Sequence, residues 1–340
     1  MKTSAHTRLM CMAAVLLLWC AKPVVAQTEP PDQPTSAAPS PVVPTSSHVF
    51  LVVLENGTYS TVTNSGDSTH FMPWMVGLGN TYGHSTNYIT NSGGSLLAYL
   101  WLSSGFCHSD TNTTADCPKT IPAGVTPVNR FGCTGGSCVS AITDDNIYRE
   151  MVADNISWTL YFESLPSVGY MGGKSGNYDP HHNPAKWYSD VINSTAFQQH
   201  MVPFTQFSTD LANSQMPKYA LIIPDDSHNA HDGTPQAADQ WLQANVGPLL
   251  NQPFFQPGGD GVLIITFDNQ DDDGSGQVYW TIIGPKVKRG YVSKTFLQHQ
   301  DTLLTILQAL GIAARPGYTS IATGMAEFFV QPQLTVTRQG

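Results

Sequence analysis

Three short apolar runs, each stopping abruptly at groups able to bind an ion, set the terms for how this chain can fold. Val49-Phe50-Leu51-Val52-Val53-Leu54 ends at Glu55-Asn56, Tyr219-Ala220-Leu221-Ile222-Ile223 ends at Pro224-Asp225-Asp226, and Val262-Leu263-Ile264-Ile265-Thr266-Phe267 ends at Asp268-Asn269. Apolar runs without alternation are the pattern of strands covered on both faces of a parallel sheet. Between them, residues 95–102, 237–250 and 301–310 carry apolar spacing that predicts helices, the last with Asp301 as N-cap and Gly311 as stop. Strand and helix alternation predicts an α/β fold: a mostly parallel central sheet, right-handed crossovers and helices on both faces. Ligands of such sheets sit outside the carboxyl ends of the strands, so the polar residues ending the three runs should converge on one edge.

The N-terminus predicts a secreted or periplasmic destination. Lys2 and Arg8 precede an apolar run from Leu9 to Ala21, and Val24-Val25-Ala26 offers a small-residue cleavage site, so residues 1–26 read as a signal peptide. The run is too short for comfortable membrane spanning, so no transmembrane segment is expected in the mature chain. A lipid anchor on Cys20 is the rival reading, disfavoured by the bulky Trp19 before it. Residues 27–47, rich in Pro, Ser and Thr, read as a linker, leaving residues 48–340 as one large domain. The formal charge of −10 becomes more negative once Lys2, Arg8 and Lys22 leave with the signal, which argues against nucleic acid as a partner. It excludes phosphorylated substrates less strongly, because a bound cation reverses the local sign of a pocket. Cys107, Cys117, Cys133 and Cys138 cluster in one Gly/Thr/Ser-rich stretch and predict two disulfides; a zinc site would want a CxxC spacing that is missing.

The candidate chemistry falls into three groups. Glu55, Asn56, Asp268 and Asn269 are hard oxygen donors at strand ends, suited to one divalent ion such as Mg²⁺, Ca²⁺ or Mn²⁺, although an acid ending a strand is commonly just a cap. His228 and His231 follow the second strand, and His181-His182 precede Asn183-Pro184; such imidazoles can hold phosphate oxygens or protonate a leaving alkoxide. Ser95 follows Gly93-Gly94 and opens a helix, where free N–H groups favour a phosphoryl group and a nearby cation would activate the hydroxyl. The local pattern alone favours Ser95 as an N-cap over a nucleophile, and Thr90 and Ser92 compete with it as nucleophile. Asp271-Asp272-Asp273-Gly274 lacks the spacing of a calcium loop and reads as a solvated turn.

In these motifs, from His48 to about Ile312, the sequence resembles the bacterial and fungal phosphoesterase family of acid phosphatases and phospholipases C, related in fold to alkaline phosphatase. The resemblance implies metal ligation by Glu55, Asn56, Asp268 and Asn269, nucleophilic attack by Ser95, and phosphate contact by His182 and His231. His228 is a further substrate contact by its loop, and His299 matches a late family histidine. The implied reaction is hydrolysis of a small phosphate ester or phospholipid through a phosphoserine. Two departures stand out. The serine motif reads Ser95-Leu96-Leu97-Ala98-Tyr99 without the usual Pro and Asn, and Asn269 stands where Glu or Asp is usual. An acid phosphatase is the leading expectation, a phospholipase C the nearest alternative, and a weakened phosphate-binding or surface module a third.

Overall fold

The computed structural model describes residues 41–91, 94–106, 108, 141–270 and 276–331, with the backbone of 133–134 and 137–138. The signal peptide, most of the linker, Ser92, the disulfide pairings and the Asp271–Gly274 turn lie outside the described residues.

Ten strands are described: β1 Val49–Leu54, β2 Gly83–Ser85, β3 Cys133–Thr134, β4 Ser137–Cys138, β5 Trp158–Phe162, β6 Met201–Pro203, β7 Tyr219–Ile223, β8 Val262–Phe267, β9 Trp280–Ile283 and β10 Tyr291–Ser293. β3 and β4 form a small hairpin, and the other eight form one sheet in the order β10-β2-β9-β8-β1-β7-β5-β6. From β8 to β6 all neighbours are parallel; β9 alone runs against the rest of the sheet. The mostly parallel α/β sheet expected from the apolar runs is therefore present. Every residue of β1, β7 and β8 is buried, so both faces at the sheet centre are covered.

β1 lies between β7 and β8, strands that come late in the chain. The carboxyl ends of such strands are where an open parallel sheet receives a ligand. Register makes the placement specific. Leu54 pairs with Phe267, and the Asp268 amide continues the ladder to the Leu54 carbonyl at 2.9 Å, which brings Glu55 level with Asp268. On the other flank the Glu55 amide donates to the Asn229 carbonyl at 2.8 Å, fastening the loop after β7 to the end of β1.

Two helices carry or brace the candidate residues. Ser95–Ser104 is rich in leucine, ends on Gly105 in the left-handed region at φ 65°, and is buried along its length from Leu96. It packs against the helix His299–Leu310. That second helix begins at His299 rather than Asp301: Gln298 is the cap, and Asp301 reaches back to the Gln298 amide at 2.8 Å as the other half of a capping box. Gly311 stops it as expected, at φ 81°. The predicted helix over 237–250 is instead Pro235–Asn245 followed by a 3₁₀ segment, Gly247–Asn251, because Pro248 has no N–H to continue the ladder. The linker reading also needs correction at its end. Val43 is buried and the Ser46 amide donates to the Ala309 carbonyl at 2.8 Å, so residues 41–47 pack on the domain.

Gly57, two residues beyond Glu55, lies against the buried Phe267 ring, and a Cβ there would fall inside that ring. Gly57→Ala is expected to cost about 1–3 kcal/mol of stability, the usual penalty of forced overpacking. Urea unfolding of the variant beside the wild type measures it, and an unchanged midpoint would contradict this packing.

Candidate active site

The sequence candidates Glu55 and Asp268 meet at the end of the sheet. Both are fully buried and close enough for each to feel the other's charge. Around Glu55 the donors are specific. Ser95 Oγ donates to Oε2 at 2.7 Å, Tyr99 Oη donates to Oε1 at 2.8 Å, and His182 Nε2 lies 3.3 Å from the same Oε1. Asp268 Oδ2 accepts from Asn269 Nδ2 at 2.8 Å, while Oδ1 is buried with no hydrogen-bond partner. Burial, then the Asp268 charge, pushes the Glu55 carboxyl well above its ordinary range, and burial raises Asp268 to about 6. Burial lowers His182 to about 4, leaving it a neutral ring at ordinary pH, and keeps the Tyr99 phenol a donor by raising it well above its usual value.

Ser95 does not cap its helix. Gly94, at φ 91°, holds the cap position without a side-chain bond, and the Ser95 hydroxyl turns to Glu55 and, at 3.4 Å, to Asn269 Nδ2. Thr90, a competing hydroxyl, is tied by its backbone amide to the Gly276 carbonyl at 2.8 Å. Asn56 occupies the left-handed region at φ 55°, which asparagine tolerates. Asn269 departs from the expectation of an oxygen ligand: it approaches Asp268 and Ser95 through its amide nitrogen, and its oxygen would take that place only if the amide turned over.

The histidines separate. His231 joins His182, with ring centroids 5.9 Å apart, and its Nδ1 is 2.8 Å from Asp232 Oδ1. His228 does not join them. Its Nδ1 is 3.0 Å from Glu163 Oε2 and its ring lies along Trp241, so it belongs to a different cluster. His299, expected as a substrate contact, is fully buried with both ring nitrogens engaged: Nε2 donates to the Asp268 carbonyl at 2.6 Å and Nδ1 accepts from Tyr88 Oη at 2.8 Å. Burial lowers it to about 4, so it is a neutral strut behind Asp268 and cannot reach a substrate.

Three residues near the site are given no role by the sequence. Tyr99 is visible there only as a motif letter, yet one helical turn sets it beside Ser95. Asp226 is buried, its Oδ1 lies 3.4 Å from His182 Nδ1 and its Oδ2 pairs with Lys174 Nζ at 2.8 Å. Glu163 follows β5, another apolar run ending in an acid, and that repetition is the signal available for it. Glu163, Asp225 and His228 could together face a metal ion, but their oxygens are already satisfied. Trp241 Nε1 donates to Glu163 at 2.9 Å, the Asp225 amide to Glu163 at 3.0 Å, and Ser164 Oγ to Asp225 at 2.6 Å, which makes the group a hydrogen-bonded brace.

A cation suits the Glu55 and Asp268 pair better. Among the described residues no Lys or Arg pairs with either, and Asp268 Oδ1 lacks any donor. Two buried carboxylates beside a hydroxyl form an all-oxygen donor set for a hard divalent ion.

A family model described as the Phosphoesterase family matches residues 72–313. An acid phosphatase of Aspergillus fumigatus is 28% identical over 172 residues, 46% of this chain and 37% of that protein. A phosphatidylinositol-3-phosphatase of Mycobacterium tuberculosis is 25% identical over 202 residues, 59% of this chain and 64% of that protein. The chain thus spans well under half the length of the fungal relatives it matches. Among solved structures, the fold is similar to the lipoteichoic acid synthase LtaP of Listeria monocytogenes, with a TM-score of 0.55 at 12% identity over 84% of this chain and 76% of that one. It is also similar to an alkaline phosphatase superfamily protein of Vibrio parahaemolyticus, with a TM-score of 0.50 at 12% identity, covering 80% and 68%.

An acid whose pKa is raised by folding weakens the fold as pH rises, since the unfolded chain gives up its proton more readily. For Asp268 the penalty is absent below its ordinary 3.8 and complete above about 6. Chelator-treated wild type is therefore expected to lose melting temperature between about pH 4 and about pH 7 relative to Asp268→Asn, which carries no such proton. Parallel melting curves for the two proteins across that range would contradict the burial of this pair.

Proposed function

Since the chain belongs to the Phosphoesterase family, we propose that it hydrolyses small phosphate monoesters in the manner of an acid phosphatase, with Ser95 as nucleophile. The contact that carries this reading is Ser95 Oγ on Glu55 Oε2 at 2.7 Å, beside the unpartnered Oδ1 of Asp268. A hydroxyl already hydrogen-bonded to a buried carboxylate has somewhere to send its proton.

The chain's own groups support a two-stage displacement. Ser95 stands in the first turn of a ten-residue helix, so the free N–H groups there favour a phosphoryl group close to its hydroxyl. As the bond from Ser95 Oγ to phosphorus forms, the serine proton passes to Glu55 and the bond to the leaving oxygen breaks. His182, neutral and held beside Glu55, offers an N–H to a phosphoryl oxygen. His231, half exposed and steadied by Asp232, gives the departing oxygen its proton and then takes one from the water that releases the phosphoserine, while Glu55 returns its proton to Ser95 Oγ as the bond to phosphorus breaks. Glu55, Asp268 and Ser95 would hold a divalent cation, joined by Asn56 and by Asn269 through its oxygen. When bound, that cation neutralises the carboxylate pair and lowers the pKa of the serine hydroxyl.

The decisive experiment assays a soluble aryl phosphate and phosphatidylcholine side by side, with Mg²⁺, Mn²⁺ or Ca²⁺ and again with chelator. Hydrolysis of the aryl phosphate that needs the cation is expected. Hydrolysis of the lipid alone would replace the reading with a phospholipase C, and phosphate binding without turnover would replace it with a binding module. Ser95→Ala is expected to lower kcat by about 10³-fold or more, and His231→Ala by about 10²–10⁴-fold. A Ser95→Ala protein with wild-type turnover would remove the nucleophile from this scheme.

A further inference from the structure

The helix Ser95–Ser104 holds Glu55 twice. Ser95 Oγ donates to one carboxylate oxygen and, a turn later, Tyr99 Oη donates to the other. Residues four apart share a helix face, so one rigid element reaches both oxygens of a side chain on a different strand. The two oxygens are not equivalent. Oε1 accepts from Tyr99, with His182 Nε2 3.3 Å away, whereas Oε2 accepts from Ser95.

We propose that Tyr99 is a positioning residue for cation binding: its hydroxyl fixes the rotation of the Glu55 carboxylate, keeping Oε2 on the side of Ser95 and Asp268. This rests on the reading that Glu55, Asp268 and Ser95 hold a divalent cation. The terminal torsion of a glutamate is soft, so a carboxylate lacking its second donor is free to turn. Removing the hydrogen-bond partner of a metal ligand typically weakens metal binding about 10–100-fold.

The same helix supplies a control. Tyr188 is fully buried and its hydroxyl meets Ser103 Oγ at 2.7 Å, at the far end of the helix from Ser95. Tyr188→Phe removes an equally buried hydroxyl from the packing of this helix without touching Glu55.

The test is Mn²⁺ binding to the full chain by calorimetry, with a thermal melt in chelator to establish that each variant is folded. Tyr99→Phe is expected to bind about 10-fold or more weakly than wild type, and Tyr188→Phe to stay within about twofold. Tyr99→His, which keeps a ring donor at shorter reach, is expected to fall between wild type and Tyr99→Phe, and it carries the test if the phenylalanine variant does not fold. Wild-type affinity in Tyr99→Phe, or an equal loss in Tyr188→Phe, overturns the proposal while leaving the cation site intact. Wild-type protein that takes up no Mn²⁺ overturns the cation reading, and the role of Tyr99 falls with it.

Discussion

Two carboxylates withdrawn from water at neighbouring strand ends are the constraint to which the rest of this molecule answers. Glu55 and Asp268 are there because β1 and β8 pair in register, and no cationic side chain among the described residues relieves them. Like charges at such separation in a low-dielectric interior repel strongly, and each also loses its hydration. The protein meets this with neutral donors: two hydroxyls on Glu55, with a neutral imidazole close by, and an amide on Asp268. Such donors solvate negative charge without cancelling it, which leaves the pair poised for a cation or a shared proton.

The scaffold behind the pair is correspondingly stiff. His299 ties the Asp268 carbonyl to Tyr88, whose hydroxyl also meets Thr302 at 2.8 Å, so the strand end is pinned to the first turn of the C-terminal helix. Across the sheet, Glu163 gathers Trp241, His228 and the Asp225 amide, setting the loop that carries Asp226 and His231. Ala230, at φ 80°, sits between Asn229, which holds the Glu55 amide, and His231. A non-glycine residue in that region is strained, and here the strain coincides with the step from scaffold to imidazole.

The three runs read as strands are legible because burial on both faces leaves an uninterrupted apolar signature, and β1, β7 and β8 match those runs residue for residue. Short elements such as β2, β6 and β10 carry three residues each and no such signature. The meeting of Glu55 and Asp268 follows from topology, since residues ending adjacent parallel strands share an edge; Ser95, His182 and His231 come from a helix, a 3₁₀ turn and a loop and are legible only through their motifs. What stays hidden is the division of labour among similar groups. His228 and His231 are three positions apart in one loop, and only the partners Glu163 and Asp232 send their rings to different tasks. His299 reads as a substrate contact because a sequence shows an imidazole but not that both its nitrogens are spoken for. Tyr99 looks like core, and it is core; its one side-chain polar atom donates to the buried Glu55.

Because β1 must be flanked on both sides before Glu55 acquires its neighbours, the pocket is a late product of the chain's own assembly. β1 is the first described strand, while β7 and β8 arrive only after most of the polypeptide has been made. Contacts between segments so far apart form slowly, since a long loop has to close before any pairing rewards it. A nascent or half-folded chain therefore holds Glu55 in water as an ordinary carboxylate, and the buried pairing of the two acids comes into being together with the finished sheet.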